Sequence, residues 1–181
     1  MIPTTPVRVS RDTRKRSLGQ SIIEFTFVGI PIMFVLISIF EISRGMWLYQ
    51  TLVYSAQEGT RFASVHGINC VNNPPSVNNS CSKSIAQIAQ VIRDAGVGLD
   101  LDQTTLQFVS SAGTVTCTLT TCASQTTGYW PPSQANQVGS VIQINIQTTF
   151  RSAIALLWPG VRAQTFGTAT LPASSQERIV F

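Results

Sequence analysis

From Phe25 to Phe40 the chain reads FTFVGIPIMFVLISIF, without one charged side chain. With Ser21–Ile23 before it and Ile42 after it, the apolar segment reaches roughly 20 residues, the length needed to cross about 30 Å of hydrocarbon. Trp47 and Tyr49 stand just past the run, where aromatic side chains collect at a membrane–water interface. The charges around the run are lopsided. Arg8, Arg11, Arg14, Lys15 and Arg16 precede it, offset only by Asp12, and this excess accounts for the whole net charge of +4. From Gln20 onward acidic and basic residues are equal in number. Basic residues flanking a span stay in the cytoplasm. The expected topology is therefore single-pass in the inner membrane, N-terminus cytoplasmic, with the remaining mass periplasmic or extracellular. A nucleic-acid binder would spread Lys and Arg over its folded domain, and this chain confines the excess to a short leader. The competing reading is a cleaved secretory signal. Against it stand the length of the run, the lack of an A-x-A pattern after it, and Glu24 inside its start.

The rest of the sequence follows in three parts. Residues 1–19, rich in Pro, Thr and Arg with no apolar period, read as a flexible leader. A helix is expected over 20–66, kinked at Pro31 but continuing past the membrane, since 43–65 holds no proline. Glu41 and Arg44, three apart, are spaced to pair. Ser55, Gly59 and Ala63 recur every four residues, a small-residue stripe that admits close approach of another helix or of this chain's own domain. Residues 67–181 form the third part. Here a polar loop ends at Ser82 or Ser84, either of which can cap a second helix. That helix has Ile85, Ile88, Ala89 and Ile92 on one face and Gly96 at its end. Residues 104–110 and 114–120 read as a hairpin about Ser-Ala-Gly, and 140–150 alternate as a half-buried strand with Ile142, Ile144, Ile146, Thr148 and Phe150 inward. Residues 165–171 give a last strand, and Ile154–Trp158 a short apolar piece. The fold class is α+β: a long N-terminal helix, a shorter helix and a small antiparallel sheet.

Four cysteines, Cys70, Cys81, Cys117 and Cys122, all follow the membrane run. The topology puts them in an oxidising space, where disulfides persist. Of three connectivities, sequence-local pairing is expected: Cys70–Cys81 closing a loop of Asn, Pro and Ser, and Cys117–Cys122 clipping a strand end. A zinc site is the rival, but it lacks C-x-x-C spacing and the one histidine, His66, is out of ligand register. No catalytic signature is found: no G-x-S-x-G, no H-E-x-x-H, no glycine-rich phosphate loop. His66 reads as a helix C-terminal residue favoured by the dipole, and Asp100 and Asp102 as a solvated turn. The chain is not expected to be an enzyme, and no cofactor is expected.

Glu24 resists a bland reading, because a carboxylate in the first turn of a membrane helix is costly. It is preceded by Gly19-Gln20-Ser21-Ile22-Ile23. A cut between Gly19 and Gln20 would create an amine at Gln20, one helical turn from the Glu24 carboxylate. The two charges could then neutralise each other, within a chain or between neighbouring subunits.

These residues resemble the processing site of type IV prepilins and, more closely, the TadE-like pseudopilins of tight-adherence (Flp) pilus systems. The likeness rests on Gly19–Phe25, on the Pro31-bearing apolar helix, on Phe40-Glu41-Ile42-Ser43-Arg44-Gly45, and on Ser55–Ala63, which fits the family's A-x-E-G-x-R-x-A pattern. It covers roughly residues 17–67. The resemblance implies cleavage by a prepilin peptidase. It also implies contacts with other pilin or pseudopilin subunits and the inner-membrane assembly platform, and a part in building a thin adhesive pilus. The size of the outer domain favours a minor or accessory subunit. Two alternatives stay open: an unprocessed, membrane-anchored binding or scaffold module, and a minor pseudopilin of a type II secretion system.

Overall fold

A computed structural model of the chain describes residues 13–67, 83–126, 128–153 and 167–180. The elements run α1 (Thr13–Ser64), α2 (Ile85–Ala95), β1 (Thr105–Ser110), β2 (Gly113–Thr118), α3 (Leu119–Ser124), β3 (Val141–Arg151) and β4 (Thr168–Arg178). This is the expected α+β class: a long N-terminal helix, a short second helix and a four-stranded antiparallel sheet in the order β2-β1-β3-β4. The chain divides into two compact units, Met1–Ile42 and Ser43–Phe181.

Helix α1 is 52 residues long and contains Pro31. It starts at Thr13, seven positions ahead of the expected Gln20. Arg14, Lys15, Arg16 and Leu18 are all good helix formers, so nothing in their backbone preferences halts the helix upstream of Gly19. In the first unit the apolar side chains from Ile22 to Ile42 are exposed, Phe25 and Phe27 at 78% and 77%, with Ile37 alone half-buried. A helix apolar on every side belongs in a nonpolar solvent. Its hydroxyls fit that solvent, since Thr26 donates to the Ile22 carbonyl and Ser38 to the Phe34 carbonyl, each at 2.8 Å. Hydroxyls bonded back onto their own helix make no demand on water.

The second unit begins with the C-terminal part of the same helix, and here the pattern changes. Leu52, Ser55, Ala56, Gly59, Thr60 and Ala63 are buried, while Tyr54 is exposed. Buried hydroxyls are again satisfied locally, Thr60 on the Ala56 carbonyl at 2.7 Å and Ser55 on the Leu52 carbonyl at 2.9 Å. Helix α2 carries the expected cap and face. Ser84 is its N-cap, Gln87 completes a capping box, Gly96 closes it, and Ile85, Ile88, Ala89 and Ile92 are buried. Each half of that box satisfies an N–H that the first turn leaves open.

The sheet presents alternate residues to the helices, as a two-residue period requires. Leu106 and Phe108 on β1 and Ile142, Ile144 and Ile146 on β3 are fully buried. They join Leu52, Ala56, Ile88 and Ile92 in one core. Trp130 packs edge-to-face on Phe108, with centroids 5.1 Å apart.

Besides the earlier start of α1, inside the expected leader, two expectations need correction. Residues 119–120 are not strand: the chain turns at Thr118, whose side chain accepts the Thr121 N–H, and α3 begins. The last strand runs from Thr168 to Arg178, well beyond the expected 165–171. Pro172 hid its length. Ser152 N–H bonds to Gly167 at one end of β4 and Ile179 N–H to Ser140 at the other, so odd-numbered residues face β3 with their backbone groups. Pro172 falls on the opposite parity, where an N–H would point away from the sheet. On an edge strand that position tolerates proline. The apolar piece Ile154–Trp158 lies outside the described residues.

Candidate functional site

The residues singled out by sequence fall into two groups along α1. The first is Gly19, Gln20 and Glu24. All three are exposed. A Cβ added at Gly19 would meet nothing within 4 Å. Gln20 and Glu24 sit one turn apart, and the Gln20 amide donates to Glu24 Oε1 at 3.2 Å. The Glu24 carboxylate thus has a neutral side-chain donor one turn away. The helix runs unbroken through this segment from Thr13.

The second group is the stripe Ser55, Gly59 and Ala63. The sequence left open whether it meets another subunit or the chain's own domain. The structure places it against the chain's own domain, since all three residues are buried. A Cβ built on Gly59 would lie 2.5 Å from Ile92 Cγ1, 2.8 Å from Ile92 Cδ1 and 3.5 Å from Ile144 Cδ1. The glycine is needed because α2 and β3 close on the helix there without room for a side chain. Glu58 and Phe62, on the neighbouring stripe, are half-buried.

Where the helix enters the second unit, a cavity of about 540 Å³ opens beside it. Arg44 lies over the Phe150 ring, 4.8 Å from its centroid, and donates to the Arg151 carbonyl. Trp47 stands against Gly98, whose φ of +87° and bare Cα leave room for the indole edge. None of this lining except its apolar character was legible beforehand. Trp47 was noticed as a flank of the apolar run, Arg44 as spaced to pair with Glu41 and Phe150 as an inward strand residue, but only the fold brings Phe150 and Gly98 to the two helix residues.

The remaining candidates have structural roles. Cys117, at the end of β2, and Cys122, in α3, form a disulfide, so those two sulfurs are not zinc thiolates. Cys70 and Cys81 lie outside the described residues. His66 Nδ1 donates to the Phe62 carbonyl at 2.6 Å, and its ring packs on Phe62. Asp100 Oδ1 accepts the N–H groups of Asp102 and Gln103, and Asp102 accepts from the Thr120 hydroxyl at 2.6 Å. These two carboxylates build the turn between α2 and β1.

Residues 19–61 match the family model of TadE-like proteins. Comparison with curated proteins and with solved structures returned no match. The matched stretch lies wholly within α1, from the Gly19 position to Arg61, two residues before the end of the small-residue stripe. The single helix long and apolar enough to cross a membrane among the described residues is this same element. The resemblance read from the sequence and the family match therefore fall on one element, a helix whose N-terminal part is long and apolar enough to cross a membrane and whose C-terminal part is buried in the core of the second unit.

Proposed function

We propose that the chain is a pilin-like minor subunit that takes part in assembling a tight-adherence pilus. Its first residues face the cytoplasm, the apolar part of α1 spans the inner membrane, and the α+β domain stands outside. A prepilin peptidase removes the leader between Gly19 and Gln20. Glu24 then neutralises the new amine, in its own chain or in a neighbouring pseudopilin, as subunits pack on the assembly platform. The protein acts by assembling and not by catalysis.

One observation carries this reading: the TadE-like match coincides with a helix whose exposed side chains before Ser43 are mostly apolar and which buries the small-residue stripe Ser55, Gly59 and Ala63 after it. Support also comes from the open surroundings of Gly19 and from the one-turn spacing of Gln20 and Glu24. The test is mass spectrometry of the protein extracted from membranes. A mature N-terminus at Gln20 is the expected result, and an intact leader would overturn it.

A second reading has an observation of its own. Helix α1 runs from Thr13 straight through the proposed cut, and the Gln20 side chain already serves Glu24 without processing. An unprocessed anchored scaffold would look this way. A peptidase needs a chain it can thread, so under the processing reading residues 13–20 must unwind on the enzyme. A minor pseudopilin of a type II secretion system would share the cut, and co-purification with pilus or with secretion components separates those two.

A further inference from the structure

The four-stranded sheet ends on two edge strands, β2 and β4, and the sequence treats the two edges differently. An unpaired edge is a template for another strand, and proteins blunt it with proline, charge or a covering element. On β4 the outward backbone groups belong to even-numbered residues, and Pro172 among them has no N–H to offer a neighbour. Glu177 and Arg178 add charge at the end of the same strand. Strand β2, Gly113-Thr114-Val115-Thr116-Cys117-Thr118, has neither device.

The register shows which groups of β2 stay open. Leu119 N–H bonds to the Thr104 carbonyl at 2.8 Å, and these two residues lie one step beyond the pair Thr105 and Thr118. Bonded and non-bonded pairs alternate along an antiparallel ladder. Gly113, Val115 and Cys117 therefore bond to β1, and Thr114 and Thr116 turn their N–H and C=O groups outward. No described residue bonds to those groups. Thr118 differs, since its carbonyl accepts the Thr121 hydroxyl as α3 begins. Residues 113–116 are all exposed. Val115 stands opposite the fully buried Phe108 yet is itself 37% exposed, so the apolar layer runs out to the open edge without a cover.

This edge fits itself. Laid antiparallel on a second copy with the two Val115 residues opposite each other, Thr114 of each chain faces the partner's Thr116. Each chain brings two N–H and two C=O groups, so four hydrogen bonds use them all. Threonine pairs on one face and a valine pair on the other are favourable cross-strand neighbours. Joining β2 to β4 of the next copy would instead be a head-to-tail contact that does not close, and Pro172 interrupts that ladder near its middle.

We propose that β2 is a homodimerisation edge. It pairs antiparallel with β2 of a second copy about a two-fold axis at Val115, and the two sheets join into one. The contact is small, which makes the dimer weak and reversible. It uses only the second unit and depends neither on leader removal nor on the assembly the chain serves, so its failure leaves those readings standing.

The test is energy transfer between full chains in detergent micelles, with donor and acceptor fluorescent proteins fused at Phe181 of separate preparations and the chain concentration varied. The parent chains are expected to associate. Thr114→Lys with Thr116→Lys sets two like-charged pairs across the axis and should weaken association about tenfold. Thr114→Glu with Thr116→Glu should do the same. A lysine chain mixed with a glutamate chain should regain at least the parent's association, because position 114 of one then meets the opposite charge at 116 of the other. That recovery also shows that both variants are folded. Ser174→Lys with Gln176→Lys, on the outer edge of β4, should leave association unchanged. No association of the parent chains, a lysine variant that associates like the parent, a mixture no stronger than either variant alone, or an equal loss from the β4 variant would each overturn the proposal.

Discussion

Replacing Gly59 by alanine asks whether the small-residue stripe is a folding element of this chain. On a free helix the change is favourable, because alanine exceeds glycine in helix propensity by about 1 kcal/mol. The fold reverses the sign. The new methyl would sit 2.5 Å from Ile92 Cγ1 and 2.8 Å from Cδ1, against an ordinary carbon–carbon contact of about 3.5–4.0 Å. Ile92 is fully buried, so α1 and α2 must part or Ile92 must leave its rotamer. Overpacking of this kind costs about 1–3 kcal/mol. Less the propensity gain, Gly59→Ala should destabilise the second unit by about 1 kcal/mol, and Gly59→Leu by several times as much.

A double-mutant cycle makes the argument specific. Ile92→Ala removes both clashing atoms and alone costs about 2–5 kcal/mol through its cavity. Combined with Gly59→Ala, the methyl should enter that cavity, and the pair should cost less than the sum by about 1–2 kcal/mol. Ile92→Val removes Cδ1 but keeps Cγ1, the nearer atom, so it should relieve little of the strain. The assay is urea unfolding of the full chain in detergent, followed by tryptophan emission, to which the buried Trp130 contributes. A Gly59→Ala chain at least as stable as the parent, or strict additivity with Ile92→Ala, would refute the packing argument. The stripe would then again be available to a second subunit.

Gly19→Val should block leader removal and leave precursor in the membrane, seen as an unshifted band on a gel, because the peptidase site must admit the residue before the cut. Glu24→Ala should be cleaved normally yet fail to assemble, since an unpaired charge left in a nonpolar bundle costs about 3–5 kcal/mol; co-purifying subunits or surface filaments score it, and assembly like the parent would reduce Glu24 to an interface residue. A reporter active only outside the cytoplasm should work when fused at Phe181 and not at Ser17, and the reverse pattern would invert the topology. Cys117→Ala with Cys122→Ala should lower stability by roughly 2 kcal/mol, as expected for a short closed loop, and thiol labelling of the unreduced, denatured parent should find neither sulfur free.

How far the sequence could be read depended on whether a local signal met a tertiary competitor. Helix α2 was legible down to its cap because Ser84, Gln87 and Gly96 act within a few residues. Strand β3 was legible because Ile142, Ile144 and Ile146 alternate with polar residues along it. Strand β4 was cut short because Pro172 and the polar run Ser174-Ser175-Gln176 look unlike a strand, and only the edge position of β4 makes them one. Helix α3 was missed because Thr120 and Thr121 favour strands, while the Thr118 cap that starts the helix is also a plausible strand residue. At the candidate site, Gly19, Gln20 and Glu24 are neighbours in sequence and needed no fold to bring them together. The Arg44 cavity depends on Phe150 and Gly98, distant in sequence, and no local pattern announces them.

The extent of the family match has a physical reading that bears on what the matched residues are for. Over 19–42, Glu24 and Glu41 aside, the chain is apolar around the helix, a composition that suits lipid and is met by many sequences. Over 55–63 one side of it is small, and at Gly59 that demand is set by Ile92 and Ile144 of its own domain. The A-x-E-G-x-R-x-A pattern falls in the second stretch. Ala56, Gly59 and Ala63 are its buried members, while Arg61 is exposed and Glu58 half-buried. The small members of the pattern are thus accounted for by helix-to-domain packing, with no subunit contact required. What they leave for partners is the exposed Arg61, with half-buried Glu58 one turn before it. If subunits meet along α1 outside the membrane, they meet there, and a charge reversal at Arg61 should disturb assembly without changing the stability that Gly59 controls.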